Sequence, residues 1–114
     1  MTPDNIVLLI INWKLKYQTA RCLRSLQGTG QTHRVVVVDN GSHDGSVEYI
    51  HEQFPEISVL PLPENLGFGA ACNRAIQDLI QEPGWEYVFL VNNDATLHPD
   101  ALRHLLQAAR ENPQ

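Results

Sequence analysis

Apolar residues come in two rhythms along this chain, and the rhythms alternate. Ile6 to Ile11 is an unbroken β-branched and leucine run, the pattern of a strand buried on both faces. Thr19, Cys22, Leu23 and Leu26 then recur at helical spacing, and Gly28 and Gly30 are placed to end that helix. Val35 to Val38 is a second buried strand, followed by a helical stripe of Val47, Ile50 and Phe54 closed by Pro55. Ser42, Asp44 and Ser46 are the N-cap candidates for it. Ile57 to Leu60 predicts a short third strand bounded by Pro61 and Pro63. Phe68, Ala71, Cys72, Ala75, Ile76 and Leu79 predict a third helix, stopped at Pro83-Gly84. Glu86 to Val91 is a fourth strand, and Leu102, Leu105, Leu106 and Ala109 mark a last helix with Pro99 near its first turn.

Strand-helix alternation of this kind implies an α/β fold: a Rossmann-like parallel sheet with right-handed crossovers and helices on both faces. The expected strand order is 3-2-1-4, the chain walking outward from strand 1 and returning to place strand 4 on its other side. That return creates a topological switch point between strands 1 and 4, with a crevice at their carboxyl ends. Asn12-Trp13, Asp39-Asn40 and Asn92-Asn93-Asp94 all fall on that rim.

Composition narrows the partners. The 114 residues suffice for one domain with a core, and 43% hydrophobic with 18% charged residues fits an ordinary globular chain. A net charge of −5 without a basic stripe argues against nucleic acid. A nucleotide ligand is compatible with that charge if a metal supplies positive charge locally. Cys22 and Cys72 both sit on apolar helix faces, which reads as reduced core thiols and a cytoplasmic protein. No stretch is long enough to span a membrane, and the N-terminus lacks the features of a signal peptide.

Three segments could carry chemistry. Asn92-Asn93-Asp94 brings two amides and a carboxylate to one strand end, where Asp94 could ligate Mg²⁺ or Mn²⁺ together with diphosphate oxygens. Asp39 ends a run of four valines and precedes Asn40-Gly41-Ser42, so its carboxylate could accept hydrogen bonds from a ribose or a base. Asn65-Leu66-Gly67-Phe68-Gly69 enters a helix whose N-terminal amides favour anions. Each has a plainer alternative. Asp39-Asn40-Gly41 could be only a turn with Gly41 at positive φ, Asp94 could only cap the next element, and the small residues after Asn65 could only let a helix approach the sheet. The dinucleotide glycine spacing and the phosphate-loop Gly-Lys-Ser/Thr are both missing from the sequence. The five histidines are scattered without metal-ligand spacing.

Taken in order, Ile10-Ile11-Asn12-Trp13, Val38-Asp39-Asn40-Gly41-Ser42-His43-Asp44-Gly45-Ser46, Glu64-Asn65-Leu66-Gly67-Phe68-Gly69 with Asn73, and Leu90-Val91-Asn92-Asn93-Asp94-Ala95 resemble the N-terminal half of family 2 glycosyltransferases of GT-A fold. The likeness is greatest to the bacterial rhamnosyl- and galactofuranosyltransferases of surface polysaccharide assembly. The resemblance implies a UDP- or dTDP-linked sugar donor, a saccharide or lipid-linked acceptor, inversion at the anomeric carbon and a divalent cation, Mn²⁺ or Mg²⁺. It implies that Asp39 contacts the nucleoside base and that Asn12 and Trp13 line the nucleotide pocket. Asn40, Asn65, Gly67, Asn73, Asn92 and Asn93 complete the nucleotide site, with Asp94 as the metal carboxylate. Asn92 stands where the family's Asp-x-Asp metal motif has its first acid.

The family keeps its catalytic base beyond this motif, so the resemblance places the base beyond Gln114. The expectation is a shortened chain, residues 1–114 carrying the donor-binding part of the domain and inactive alone. The apolar strand 86–91 would then be an edge through which copies could associate. The parent protein or its acceptor could hold it at the inner face of the membrane. The alternative is a non-catalytic module of the same fold that binds nucleotide or self-associates. A receiver or flavodoxin-like domain is disfavoured, since Asn12-Trp13 is not the acidic cluster a receiver needs after strand 1.

Overall fold

The structure is a computed structural model that describes residues 6–27, 34–81 and 87–94, with His104, Gln107, Ala108 and Glu111. Its elements run β1 (Ile6–Asn12), α1 (Lys16–Gln27), β2 (Arg34–Asp39), α2 (Ser46–Gln53), β3 (Ser58–Pro61), α3 (Phe68–Ile80) and β4 (Tyr87–Leu90). All pairings are parallel and the strand order is β3-β2-β1-β4, as the alternation predicts. The expected last helix (Leu102, Leu105, Leu106, Ala109), Pro99, Glu86 and the stops at Gly28, Gly30 and Pro83-Gly84 lie outside the described residues.

The apolar run of β1 is explained by the two cores it separates. Side chains of a strand alternate between faces. Ile6, Leu8 and Ile10 accordingly join Cys22, Leu23 and Leu26 of α1 and Ile50 of α2 on one face. Val7 and Leu9 join Val36, Val38 and the α3 residues Ala71, Ala75 and Leu79 on the other. Ala71 and Ala75 leave no bulk between α3 and the sheet, so one role of the small residues there is close packing. Both cysteines are free, buried thiols. Among the described residues no helix is long and apolar enough to cross a membrane.

Element ends differ from the pattern where backbone bonding overrides hydrophobicity. Ile57 is buried but precedes β3, its amide bonding the Phe54 carbonyl at 3.0 Å. Pro61 ends β3 at the sheet edge, where a missing N–H is tolerated. Gly45, in the left-handed region, precedes α2, while the Asp44 carboxylate accepts the Ser46 amide at 3.0 Å.

Register decides what reaches the rim. Asn12 lies opposite Asp39, and Asp39 opposite Pro61. β4 pairs with the first part of β1, Leu9 opposite Leu90, and the Val91 amide continues to the Leu9 carbonyl at 2.9 Å. The segments after β1, β2, β3 and β4 therefore converge at one end of the sheet, around the switch point.

Candidate functional site

A cavity of about 480 Å³ opens at that end. Its lining includes Ile11, the last apolar position of β1, and Val91, the residue just after β4. Trp13 and Leu15 wall it from the loop after β1, Asn65, Gly67 and Phe68 from the loop entering α3, and Asn92, Asn93 and Asp94 from the turn after β4, with Asn40 between. Seven of the ten expected site residues thus meet at one cavity: Trp13, Asn40, Asn65, Gly67, Asn92, Asn93 and Asp94. Trp13 is 44% and Phe68 56% exposed, so two aromatic faces stand open to a ligand at its mouth. Lys14 Nζ lies 5.0 Å from the Trp13 ring centroid and puts positive charge beside it.

Asn40 shapes the loop opposite. Its Oδ1 accepts the Leu66 amide at 2.9 Å, and its Nδ2 donates to Asn65 Oδ1 at 3.1 Å and to the Gly67 carbonyl at 3.4 Å. Asn65 Oδ1 also accepts the Gly67 amide at 2.8 Å. Gly67 has φ 85° and ψ 161°, a combination essentially reserved for glycine, and α3 starts immediately after it. The buried amide of Asn40 thus sets the cavity wall while the Asn65 and Gly67 surfaces face outward.

Asn12 and Asp39 lie beneath the cavity rather than in it. Asn12 is 1% exposed and Asp39 3%, and neither lines the cavity. Asp39 Oδ1 accepts from Asn12 Nδ2 at 2.9 Å and Ser42 Oγ at 2.7 Å, and Oδ2 accepts the Ser42 amide at 3.0 Å. Ser42 Oγ in turn accepts the Lys14 amide at 2.8 Å, which anchors the Trp13–Lys14 turn. Three internal donors keep the buried carboxylate satisfied. Asp39 also borders a second cavity of about 340 Å³ with His43, Ser46 and Leu62. Asn12, expected beside the nucleotide, is buried because the register with Asp39 draws its amide inward. Asn73 is exposed on α3, away from the cavity lining.

Three α1 side chains hold the Asn92–Asp94 turn. Gln18 Nε2 donates to Asn93 Oδ1 at 3.1 Å, Asn93 Nδ2 donates to Thr19 Oγ1 at 3.2 Å, and the Cys22 thiol donates weakly to the Asn92 carbonyl at 3.7 Å. Both ends of the Asn93 amide are engaged, and the exposed Asp94 is presented beside it. Burial pushes the Cys22 thiol up to about 11, with the negative charge of Asp94 adding to the effect. The thiol is therefore neutral at ordinary pH. Gln18 and Thr19 escape a reading by hydrophobic pattern, which places Thr19 in the apolar stripe of α1. The available signal is the hydroxyl itself, since a buried polar group needs a partner.

Among the described residues, no three His, Cys, Asp or Glu side chains gather as a metal cage. Asp94 is the carboxylate at the cavity. One carboxylate fits a hard cation that arrives with a diphosphate, because Mg²⁺ is commonly held by one or two carboxylates plus substrate phosphates.

The parallel 3-2-1-4 sheet with its helices is similar to the GT-A glycosyltransferase fold, and solved structures of that kind superpose on it. TarS from S. aureus matches with a TM-score of 0.75 at 20% identity, over 93% of this chain and 32% of that one. The mannosyltransferase PcManGT from Pyrobaculum calidifontis, in complex with GDP-Man and Mn²⁺, matches with a TM-score of 0.74 at 20% identity, over 96% and 34%. At sequence level, the N-acetylglucosaminyl-diphospho-decaprenol L-rhamnosyltransferase of Mycobacterium tuberculosis is 34% identical over 102 residues, 82% of this chain and 33% of the relative. Residues 16–114 match the family described as Glycosyl transferase family 2, and the chain belongs to that family. It spans about a third of the length of its mycobacterial relative.

Proposed function

We propose that this chain is the donor-binding part of an inverting glycosyltransferase that takes a nucleotide-diphosphate sugar, dTDP- or UDP-linked, and serves surface polysaccharide synthesis. The observation that carries the reading is the cavity at the switch point, which the Asn92–Asp94 turn, the Asn65–Gly67 loop and Trp13 line together. In this reading Trp13 offers its face to the nucleobase, the amides of the Asn65–Gly67 loop and Asn92 surround the ribose and diphosphate, and Asp94 holds the cation. A divalent cation bound there supplies positive charge to the diphosphate leaving group. Asn92, an amide where the family motif has its first acid, leaves Asp94 as the carboxylate on which that cation depends.

The named activity of the M. tuberculosis relative supports a rhamnosyl donor and a lipid-diphosphate-linked sugar acceptor. Transfer with inversion requires a carboxylate that deprotonates the acceptor hydroxyl for in-line attack. We assign that base to sequence beyond Gln114. Residues 1–114 then bind donor without transferring its sugar.

Calorimetry with dTDP, UDP and GDP, with and without Mn²⁺, tests the proposal. Wild type should bind a pyrimidine nucleoside diphosphate more tightly with Mn²⁺, and Asp94→Ala should lose that increment while keeping the wild-type circular dichroism. Affinity indifferent to Mn²⁺ in both proteins would reduce Asp94 to a turn residue. Concentration-dependent dimers in light scattering, with no nucleotide bound, would favour the non-catalytic, self-associating alternative.

A further inference from the structure

One buried hydroxyl joins the two halves of the site. Thr19 is fully buried on α1. A helical threonine commonly turns its hydroxyl back to the carbonyl of the preceding turn. Thr19 Oγ1 instead leaves the helix and donates to Asn12 Oδ1 at 2.6 Å. The orientation of Asn12 is forced, because its other end faces the Asp39 carboxylate, which can only accept, so Nδ2 must point there and Oδ1 towards Thr19. The single proton of the hydroxyl is thus committed to Asn12, and a lone pair remains to accept Asn93 Nδ2 at 3.2 Å. Asn93 to Thr19 to Asn12 to Asp39 is a directed chain of three hydrogen bonds. It links the turn that carries Asp94 to the loop that Asp39 and Ser42 hold under Trp13.

We propose that Thr19 is a positioning residue of the donor site, acting through Asn93 on Asp94 and through Asn12 on the Asp39 loop. This rests on the donor-site reading above. The role is specific to the hydroxyl: a valine of the same shape would fill the space but leave Asn12 Oδ1 without its donor and Asn93 Nδ2 without its acceptor. Gln18 is the second tether, gripping the other end of the same Asn93 amide from a half-buried position. Removing it should act in the same direction without disturbing the core.

The test compares Thr19→Val, Thr19→Ser and Gln18→Leu in the 114-residue chain by titrating dTDP and UDP with and without Mn²⁺, with thermal melts in parallel. Thr19→Val should reduce the Mn²⁺-dependent gain in affinity by roughly five- to tenfold, the scale of the hydrogen bond lost to Asn93 on the Asp94 side. Thr19→Ser, which keeps the hydroxyl, should restore most of that gain even if its melting temperature falls. Gln18→Leu should show a smaller loss at an unchanged melting temperature. Thr19→Val with the wild-type gain would overturn the proposal, and so would Thr19→Ser losing as much as Thr19→Val, since the methyl packing would then be what matters. Should Thr19→Val fail to fold, Gln18→Leu decides, and an undiminished gain overturns the proposal. Wild-type protein that binds no nucleotide in any Mn²⁺ condition would remove the donor-site reading and this role together.

Discussion

Gly41→Ala should damage both stability and the cavity wall, and the structure sets the scale of each effect. Gly41 has φ +73°, in the left-handed region, where a residue with a Cβ is disfavoured by about 1–2 kcal/mol. The added methyl would lie 2.4 Å from the Glu64 carbonyl carbon, 2.5 Å from its Cα and 2.6 Å from the Asn65 amide nitrogen. These are backbone atoms that no rotamer change can move aside. The Glu64–Asn65 segment must retreat by about 1 Å to restore ordinary contact, and overpacking of this kind adds about 1–3 kcal/mol. Together the two effects amount to about 2–5 kcal/mol, a fall in melting temperature of roughly 10–20 °C. Moving Asn65 by that distance also breaks its 3.1 Å bond with Asn40, so donor affinity should drop about tenfold at temperatures where the variant is still folded. Thermal denaturation followed by circular dichroism, with calorimetry of dTDP binding, measures both. Gly69→Ala is the control: its methyl meets open space inside α3, and it should stabilise by about 0.5 kcal/mol. A Gly41→Ala variant melting within about 3 °C of wild type would refute the close approach between the β2 and α3 loops.

Two other perturbations follow from the buried network. Asp39→Ala would strand Asn12 Nδ2 and both donors of Ser42, and should destabilise by about 2–4 kcal/mol in urea unfolding. It should weaken dTDP binding more than pyrophosphate binding if Oδ2 contacts the nucleoside, and equal losses would leave Asp39 an internal organiser. The Cys22 thiol, held at about 11 by burial and then by Asp94, stays protonated in the folded chain while the unfolded chain ionises from the ordinary value of 9.0. Its contribution to stability is complete below pH 9 and is lost as pH rises towards 11. Ultraviolet titration of thiolate in a Cys72→Ser background should give that raised midpoint and a lower one when Asp94→Ala is added, and a midpoint unmoved by Asp94→Ala would separate the two groups.

What was legible in the amino-acid order was whatever has a short period or a local signature. The two-faced strand Ile6 to Ile11, the helical stripe of Ala71, Ala75 and Leu79, and the strand order that follows from regular alternation all come from rules acting within a few residues or on the order of elements. The placement of Asn40 and Asp94 on one rim follows from the same rules, because each stands just past the carboxyl end of a strand. Tertiary structure alone decided which polar side chains face a ligand and which face each other. Asn12 and Asp39 are 27 positions apart, and Gln18 and Asn93 are 75. A hydrogen bond over such a distance leaves no periodic trace, since it depends on a parallel register that brings the side chains at two strand ends within hydrogen-bond reach. Thr19 shows the limit most plainly. Its spacing puts it on the buried face of α1, and only the fold shows what its hydroxyl meets there: Asn12 on one side and Asn93 on the other.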